Sequence, residues 1–257
     1  MPAPVQVRPS DRRFGARALL LAGAFVLIAV PFLLLLLLVE DHSRALRELD
    51  GGARDQLHSY AVKHHGFVIA MKLVSLTGTS VAWLVIFVPI VGWLLWRRLP
   101  RLAAFVALTV PLSSLLNNLV KLLVHRTRPS LNHPVAHAGG NSFPSGHAQA
   151  AVVGYGVLVL VFLPVLHGAW RRLALAAAVL MVLAIGFSRI ALGVHYVSDV
   201  LAGYALGAAW LAAMTAAFSA WRRERGRPEV APHAGLEPEQ ERRLSPDEPA
   251  PSSAPPE

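Results

Sequence analysis

The chain has 257 residues, of which 54% are hydrophobic and only 15% are charged, and its mean hydropathy is +0.50. This composition excludes an ordinary soluble domain, and repeated uncharged runs of about 20 residues indicate a polytopic helical membrane protein. The formal net charge is +9, but most arginines flank apolar runs, where they act as orientation signals and contact anionic lipid head groups. We therefore expect no nucleic-acid partner, and the lack of cysteine excludes disulfides and thiol chemistry.

The first apolar run, about Ala18 to Val39, follows a basic N-terminal tail at residues 1–17 that we place in the cytoplasm. It is long for the hydrophobic part of a signal peptide and lacks a clear small-residue cleavage site, so it predicts a retained membrane helix. Residues 40–65 are polar, and Gly51-Gly52 marks a loop. From about Asp55 to Leu76 the amphipathic pattern predicts a helix that lies in the membrane interface.

Five further spans follow in chain order. Their predicted bounds are about Ser80–Trp96, Leu102–Val124, His147–Leu166, Leu173–Ile190 and Val197–Ala220. After Pro228 the composition shifts to Pro, Glu, Ser and Ala without apolar periodicity, which is typical of a disordered tail. The sequence thus predicts an all-α protein with a six-helix membrane domain at residues 18–221 and a disordered cytoplasmic tail at residues 222–257.

The arginines set the expected orientation. They concentrate in the loops after the second, fourth and sixth spans, at Arg97, Arg98, Arg101, Arg171, Arg172 and the cluster from Arg222 to Arg227. By the positive-inside tendency these loops and both termini are cytoplasmic in a multi-pass protein of the plasma membrane. The polar loop from His125 to Gly146 and the turn between the last two spans then face the extracytoplasmic side.

Carboxylates are scarce in the predicted membrane domain. Between Asp55 and Glu224 the only acidic residue is Asp199. A site for Mg²⁺, Mn²⁺ or paired zinc ions usually needs several carboxylates, and a two-carboxylate acid/base mechanism needs two. Histidines at 125, 133 and 137 fit no familiar metal-site spacing, so we expect neither a metal nor another cofactor.

Three cations lie near the predicted outward ends of the spans. Lys121 and Arg128 are seven residues apart and would point to one side if the helix continued. Arg189 lies near the outer end of the fifth span, where an unpaired guanidinium is costly. An anion would complete such a site, whereas Lys121 and Arg128 taken singly also fit cations that snorkel to the interface.

Two histidines add chemically reactive groups to this face. His195 and Asp199 have the i, i+4 spacing at which a carboxylate can hold one ring nitrogen and leave the other free for nucleophilic or base chemistry. An ordinary helix cap explains the same pair. His147 follows Pro-Ser-Gly at the start of the fourth span, where Ser145 and Gly146 can present donors to phosphate oxygens. A plain turn with a capping serine is the alternative for that stretch.

Three separated blocks carry a family resemblance. They are "KLLVHRTRP" from Lys121 to Pro129, "PSGH" from Pro144 to His147, and "SRIALGVHYVSD" from Ser188 to Asp199. In order and spacing they resemble the tripartite signature of the type 2 phosphatidic acid phosphatases, or lipid phosphate phosphatases, in their bacterial membrane-bound branch. The resemblance covers roughly residues 18–221, including the six-span layout with an interfacial segment after the first span.

The resemblance implies a role for each matched residue. His195 attacks phosphorus, Asp199 fixes its tautomer, and His147 protonates the leaving oxygen and later activates water. The phosphoryl oxygens are held by Lys121, Arg128, Ser145, Gly146 and Arg189. The family needs no metal ion.

The sequence therefore predicts a lipid phosphatase that forms a phosphohistidine on the extracytoplasmic face of the bilayer. Undecaprenyl pyrophosphate, phosphatidylglycerol phosphate and phosphatidic acid are the candidate substrates. A non-catalytic lipid-phosphate binding or transport protein is the alternative, although binding alone does not need an oriented histidine. A vanadate-dependent haloperoxidase uses similar blocks, but those enzymes are soluble.

Overall fold

The structure, a computed structural model, describes residues 30–41, 43–224 and 232–244. Helices dominate these residues, and no strand occurs among them. The helices in chain order are α1 (Val30–Glu40), α2 (Arg44–Lys63), α3 (His65–Leu76), α4 (Ser80–Trp96), α5 (Pro100–Val124), α6 (Gly146–Phe162), α7 (Gly168–Ala191), α8 (Val197–Glu224) and the single turn α9 (Glu241–Leu244). The predicted all-α class is confirmed.

Four of the described helices, α5 to α8, are long and apolar enough to cross a membrane. A fifth candidate is the pair α3 and α4, which together pass the same test but are bent by 41° at their junction. The described part of α1 is shorter than a span, and most of the predicted first span and the whole N-terminal tail lie outside the described residues. The helical bundle thus contains four to five candidate spans by length and composition.

The outer surface of the bundle is apolar. Large side chains project away from the protein along several helices, with Val81 70% and Leu123 80% exposed. Such surfaces are stable against lipid tails, and helix backbones satisfy their own hydrogen bonds there. Apolar exposure and apolar helices together agree with a membrane protein.

The polar stretch at residues 40–65, which the sequence assigns to a loop, instead forms α2. Gly51 and Gly52 lie inside this helix, and a Cβ at either position would meet nothing within 4 Å. Glycine in a helix interior costs about 1 kcal/mol relative to alanine, so local sequence disfavours the helix. Asp50 is only 2% exposed and is bonded to residues far along the chain, and this tertiary anchoring outweighs the local signal.

The segment predicted as one helix from about Asp55 to Leu76 is divided between two helices. The chain breaks at His64, with φ −126° and ψ 82°, so that α2 ends and α3 begins. Val68 of α3 is buried against Leu192 and Val194 near the turn after α7, whereas Ile69, Leu73 and Leu76 of the same helix are exposed. One face of α3 is therefore buried against the protein, and the other is apolar and exposed.

Helices α6 and α8 approach each other closely because glycine lines their contact. A Cβ at Gly203 would lie 2.6 Å from the Ser145 carbonyl oxygen, and one at Gly207 would lie 2.9 Å from that of Gln149. Small residues permit such backbone approach between membrane helices. The contact places the Pro-Ser-Gly-His turn directly against the first turns of α8.

Part of the tail that composition marks as disordered is packed on the bundle. Residues 232–244 form short helical turns, and Leu236 and Leu244 are buried in the main apolar cluster. Glu237 is 1% exposed and pairs with Arg222, which lies in an extension of α8 beyond the predicted end of the sixth span. The overall Pro- and Glu-rich composition of the tail therefore does not indicate its two buried leucines or the glutamate that pairs with an arginine at the end of α8.

Candidate active site

The three sequence blocks meet at one cavity of about 250 Å³ between α5, α6, α7 and the turn before α8. Six of the residues singled out from the sequence line it: Lys121, Arg128, Gly146, His147, Arg189 and His195. Ser145 and Asp199 are fully buried beside lining residues. Within the described chain, no Asp or Glu is among the residues that line this cavity. The lining is therefore cationic and rich in imidazole.

A tight turn after α7 fixes Arg189 and His195 relative to each other. The backbone N–H groups of Val194 and His195 both donate to the Arg189 carbonyl oxygen, at 3.2 and 3.3 Å. Gly193 has φ +69°, and a Cβ there would come within 2.3 Å of a Leu131 methyl group. Only glycine fits this conformation and this space, so the turn depends on it.

Asp199 holds one nitrogen of the His195 ring. Its Oδ2 accepts from His195 Nδ1 at 3.3 Å and from the Tyr196 backbone N–H at 3.0 Å. Both side chains are buried, with exposures of 2% and 0%. The pair is therefore more than a surface helix cap, and the carboxylate favours the tautomer with hydrogen on Nδ1.

The other ring nitrogen faces the cationic side of the cavity. The Arg128 guanidinium donates to His195 Nε2 at 3.1 Å, so this nitrogen presents its lone pair. Burial lowers the pKa of His195 to about 4, the charges of Arg128 and Arg189 act in the same direction, and Asp199 opposes them. The imidazole is thus neutral at neutral pH, the state in which Nε2 can act as a nucleophile.

Lys121 and Arg128 both line the cavity, but not because they share one face of a continuous helix, as their spacing predicts. Helix α5 ends at Val124, and His125 adopts the left-handed conformation with φ 51°, so the helix does not continue to Arg128. Lys121 Nζ donates to the Asn141 carbonyl oxygen at 2.9 Å. Arg128 Nε donates to the backbone oxygens of residues 139 and 140. The extended segment after α5, and not a shared helix face, brings the two cations together.

Arg189 is 8% exposed and donates to Ser75 Oγ on α3. Its Nε has no hydrogen-bond partner in the structure although it is buried. Within the described chain, the structure gives none of Lys121, Arg128 and Arg189 an ion pair with a carboxylate. Three cations around one small cavity without acidic partners form a site for an anion.

The Pro-Ser-Gly-His turn forms the wall opposite these cations. Helix α6 begins at Gly146, and the Phe143-Pro144 peptide bond is cis. Ser145 is the N-cap residue of α6, but its side chain makes no capping hydrogen bond, and its buried Oγ has no hydrogen-bond partner among the described residues. Its backbone N–H donates to the Asp199 carbonyl oxygen at 2.9 Å. The first N–H groups of a helix are not used by the helix itself and favour an anion. A capping hydrogen bond from the Ser145 hydroxyl is therefore not observed, and this hydroxyl lies next to the cavity-lining Gly146 without a partner among the described residues.

Close approach accounts for the glycine in this turn. A Cβ at Gly146 would lie 3.2 Å from Asn117 Oδ1. Asn117 donates to Gln149 Oε1 at 2.6 Å, and Gln149 donates to the Ser113 backbone and hydroxyl oxygens at 2.9 Å. This polar floor of the cavity was not anticipated from the sequence. The sequence did contain a signal for it, because Asn117 and Gln149 are polar residues inside two apolar runs, where polar residues are rare and often functional.

Asp50 was missed as well, because it lies in a stretch that resembles a loop. Arg126 is close to the other cations in the sequence but was given no role of its own. Arg126 donates to Asp199 Oδ1 at 2.6 Å and to Asp50 Oδ2 at 2.8 Å. The Asp199 carboxylate is thus shared between His195 and a buried guanidinium. No local pattern in the sequence connects residue 50 with residue 199.

The arrangement is suited to a tetrahedral oxyanion held against a neutral histidine. His147 lies in the first turn of α6 on the same cavity as His195. Two imidazoles and three cations around one anion supply a nucleophile, a proton carrier and charge stabilisation. Among the described residues no group of three His, Asp or Glu side chains has the geometry of a metal site.

Comparisons with known proteins agree with this geometry. The family model described as the PAP2 superfamily matches residues 101–223. The crystal structure of the first transmembrane PAP2-type phosphatidylglycerolphosphate phosphatase from Bacillus subtilis superimposes with a TM-score of 0.67 at 26% identity, over 75% of this chain and 94% of that one. The fold is thus that of a membrane PAP2 protein.

Two curated relatives carry phosphatase names. Phosphatidylglycerophosphatase B of Bacillus subtilis (strain 168) is 41% identical over 96 residues, which cover 36% of this chain and 46% of the relative. A lipid A 1-phosphatase of Rhizobium johnstonii is 33% identical over 124 residues, which cover 45% of this chain and 47% of the relative. The matches span about half the length of each relative.

Proposed function

We propose that this chain, whose residues 101–223 match the family model of the PAP2 superfamily, is a membrane lipid phosphatase that works through a phosphohistidine. The observation that carries the proposal is the position of His195. Its Nδ1 is held by Asp199, and its Nε2 faces a cavity with three cations that have no carboxylate partner among the described residues. Binding alone requires the cations but not the oriented imidazole.

In the first step His195 Nε2 attacks phosphorus, and the bond from phosphorus to the leaving oxygen breaks. His147 donates a proton to that oxygen, which departs as the lipid alcohol or the lipid monophosphate. The ring of His195 becomes positively charged as the P–N bond forms. Asp199, which accepts from Nδ1, stabilises this charge.

In the second step water replaces the histidine. His147, now neutral, takes a proton from the water as its oxygen attacks phosphorus. The P–N bond breaks, its electron pair returns to His195 Nε2, and inorganic phosphate leaves. Both histidines regain their starting states, so the cycle consumes only water.

The cations and the turn donors hold the phosphoryl group through both steps. Arg128 shifts its hydrogen bond from Nε2 to a phosphoryl oxygen when substrate binds, which frees the nitrogen lone pair. Lys121, Arg189, the Ser145 hydroxyl and the Gly146 amide complete the set of donors. Preorganised donors of this kind usually supply most of the transition-state stabilisation in phosphoryl transfer.

We propose phosphatidylglycerol phosphate as the first substrate to test. A curated relative and the solved structure both carry names that refer to this lipid. A cavity of about 250 Å³ accommodates a phosphate and its immediate linkage, so the acyl chains remain among the apolar helix surfaces. Undecaprenyl pyrophosphate and phosphatidic acid are the comparison substrates.

The proposed topology has six spans in the plasma membrane, with both termini cytoplasmic and the cavity extracytoplasmic. The six spans are the first apolar run of the sequence and the five helices from α4 to α8. The arginines near residues 97, 171 and 222 are on the cytoplasmic side.

Cysteine labelling tests this topology. Because the chain has no cysteine of its own, a single introduced cysteine reports the side on which it lies without background labelling. In intact cells a membrane-impermeant thiol reagent should label Asn132→Cys and spare Ala169→Cys, both at exposed positions. The reverse pattern would invert the topology.

The activity is tested with purified protein in detergent. Release of phosphate from phosphatidylglycerol phosphate, labelled in its terminal phosphate, should proceed in EDTA. Quenching in alkaline detergent, where phosphohistidine is stable, should trap a labelled phosphoprotein that is absent in His195→Ala. The matched control is His167→Ala, an exposed histidine after α6. Strict dependence on an added divalent metal, or normal turnover by His195→Ala, would contradict the mechanism. Binding without phosphate release in the wild type would favour a binding or transport protein.

A further inference from the structure

A second carboxylate lies behind the candidate site, on a helix that none of the family blocks includes. Asp50 on α2 is 2% exposed. Its Oδ1 accepts from the Ser198 backbone N–H at 3.0 Å, and its Oδ2 accepts from Ser198 Oγ at 2.6 Å. The carboxylate is thus bonded to the residue directly before Asp199, in the first turn of α8.

Arg126 connects this carboxylate to Asp199. One terminal nitrogen donates to Asp199 Oδ1 at 2.6 Å and to Ser198 Oγ at 2.7 Å, and the other donates to Asp50 Oδ2 at 2.8 Å. The guanidinium carbon also lies 4.4 Å from the centre of the Tyr196 ring. A planar fork with partners on both arms has a fixed orientation.

The two oxygens of Asp199 therefore have different partners. Oδ1 accepts from Arg126, while Oδ2 accepts from His195 Nδ1 and the Tyr196 backbone N–H. Since a carboxylate is rigid and planar, fixing Oδ1 also fixes the direction of Oδ2. The direction of Oδ2 determines which ring nitrogen of His195 carries the hydrogen and where Nε2 points.

Arg126 has room to leave this position. A separate cavity of about 560 Å³ is lined by Asp50, Arg126 and Tyr196 and also by Arg47 and Arg54. Without the charge of Asp50, the guanidinium can turn toward this space and toward solvent. Asp50 opposes this movement, because it accepts a hydrogen bond from the second terminal nitrogen of Arg126, the one that is not bonded to Asp199.

We propose that Asp50 and Arg126 are positioning residues, which hold Asp199 so that His195 Nε2 faces the phosphoryl group. The proposal rests on the proposed phosphatase function. Neither side chain touches the substrate: Asp50 acts on Arg126, Arg126 on Asp199, and Asp199 on the nucleophile. Helix α2 thereby contributes to phosphoryl transfer although it lies outside the three blocks.

The test compares kcat and KM for Asp50→Asn and Arg126→Lys with phosphatidylglycerol phosphate in detergent. An asparagine side chain has only one oxygen that can accept, and the single ammonium nitrogen of lysine lacks the two rigid arms with which the guanidinium holds both carboxylates. Each variant should lower kcat about 10-fold or more, as changes behind a reacting group do, with KM within about threefold of wild type. The double variant should be no slower than Arg126→Lys alone, because both changes act through one chain of contacts.

Glu237→Gln is the matched control, since it removes a similarly buried ion pair far from the cavity. It should lower thermal stability without changing kcat. A purely structural role of Asp50 predicts the same behaviour for Asp50→Asn at temperatures where the protein is folded, and that result would overturn the proposal. If Asp50→Asn does not fold, Arg126→Lys is judged in the same way: an unchanged kcat in the folded variant would overturn the proposal. Wild-type protein is assayed in the same preparation, and a lack of wild-type turnover would instead overturn the phosphatase function.

Discussion

The guanidinium of Arg128 lies 3.1 Å from Nε2 of His195, while Nδ1 of the same ring lies 3.3 Å from Asp199 Oδ2. The imidazole is therefore held between a cation and a carboxylate, each on its own nitrogen. A protonated ring would place an N–H against the guanidinium, so this geometry requires neutral His195. The contacts of the ring and its burial thus both favour the neutral form of His195.

Activity should persist at acidic pH because His195 stays neutral there. Burial, with Arg128 and Arg189 in support, lowers the pKa of His195 to about 4, against an ordinary value of about 6.5. The nucleophile is lost only as pH falls through the lowered value, so the acid limb of kcat/KM that belongs to His195 should lie near pH 4. The pH profile of kcat/KM is measured with two substrates whose phosphate pKa values differ. A limb caused by ionisation of the substrate shifts between the two profiles, whereas one caused by His195 does not.

The control for this pH series is a return to about pH 7 after each exposure, which separates protonation from irreversible unfolding. A substrate-independent acid limb near about pH 6.5 would show that His195 titrates as an ordinary histidine. That outcome would contradict the role of burial at this position.

His147 should matter most for substrates with a poor leaving group. A general acid contributes about 10²- to 10⁴-fold to rate, so His147→Ala should slow hydrolysis of phosphatidylglycerol phosphate by that order. An aryl phosphate, whose leaving group needs little protonation, should lose less than about 10-fold. Equal losses with both substrates would remove the proton-donor assignment, and His137→Ala in the outer loop serves as the histidine control.

Much of the candidate site was predictable because each block is short and its residues act near one another in sequence. His195 and Asp199 are separated by one helical turn, and Pro144 to His147 form one turn. The meeting of the three blocks followed from their shared position at one end of the spans. Asp50 was not predictable, because its partners Arg126 and Ser198 are 76 and 148 residues away.

The fold shows the same division between local and distant causes. Long apolar runs predict α4 to α8 closely, since the requirement to cross a bilayer dominates their composition. The glycine pair at 51 and 52 favours a loop locally, and only the distant bonds of Asp50 explain the helix. The break at His64 likewise carries no proline, and after it Val68 of α3 is buried against the turn that follows α7.

Gly203 should be intolerant of a side chain because it supports the Pro-Ser-Gly-His turn. A Cβ there would lie 2.6 Å from the Ser145 carbonyl oxygen and 3.0 Å from the Ala148 Cβ. Gly203→Ala should therefore cost about 1–3 kcal/mol from overpacking and should lower kcat by displacing Ser145 and Gly146. Gly92→Ala is the control, since a Cβ at Gly92 meets nothing within 4 Å. Thermal unfolding and turnover are measured for both, and equal behaviour of the two variants would contradict this packing.

The segment at residues 232–244 should stabilise the end of the bundle opposite the cavity. Glu237 is 1% exposed and lies 3.4 Å from Arg222 and 3.9 Å from Arg101. Removing one partner of a buried ion pair typically costs about 3–5 kcal/mol, and Glu239 compensates part of this by pairing with Arg222 at 2.8 Å. We therefore expect Glu237→Ala to lower the free energy of unfolding by about 1–3 kcal/mol.

Deletion of residues 232–257 should lower thermal stability further, because it also exposes the apolar pocket that Leu236 and Leu244 fill. Thermal unfolding in detergent provides the comparison, with Glu241→Ala, a partly exposed residue of the same segment, as the control. Turnover per folded molecule should be unchanged in all three variants, because none of residues 232–244, the described part of this segment, lies at the cavity. A truncated protein with wild-type stability would show that the segment contributes nothing to the fold, despite its two buried leucines.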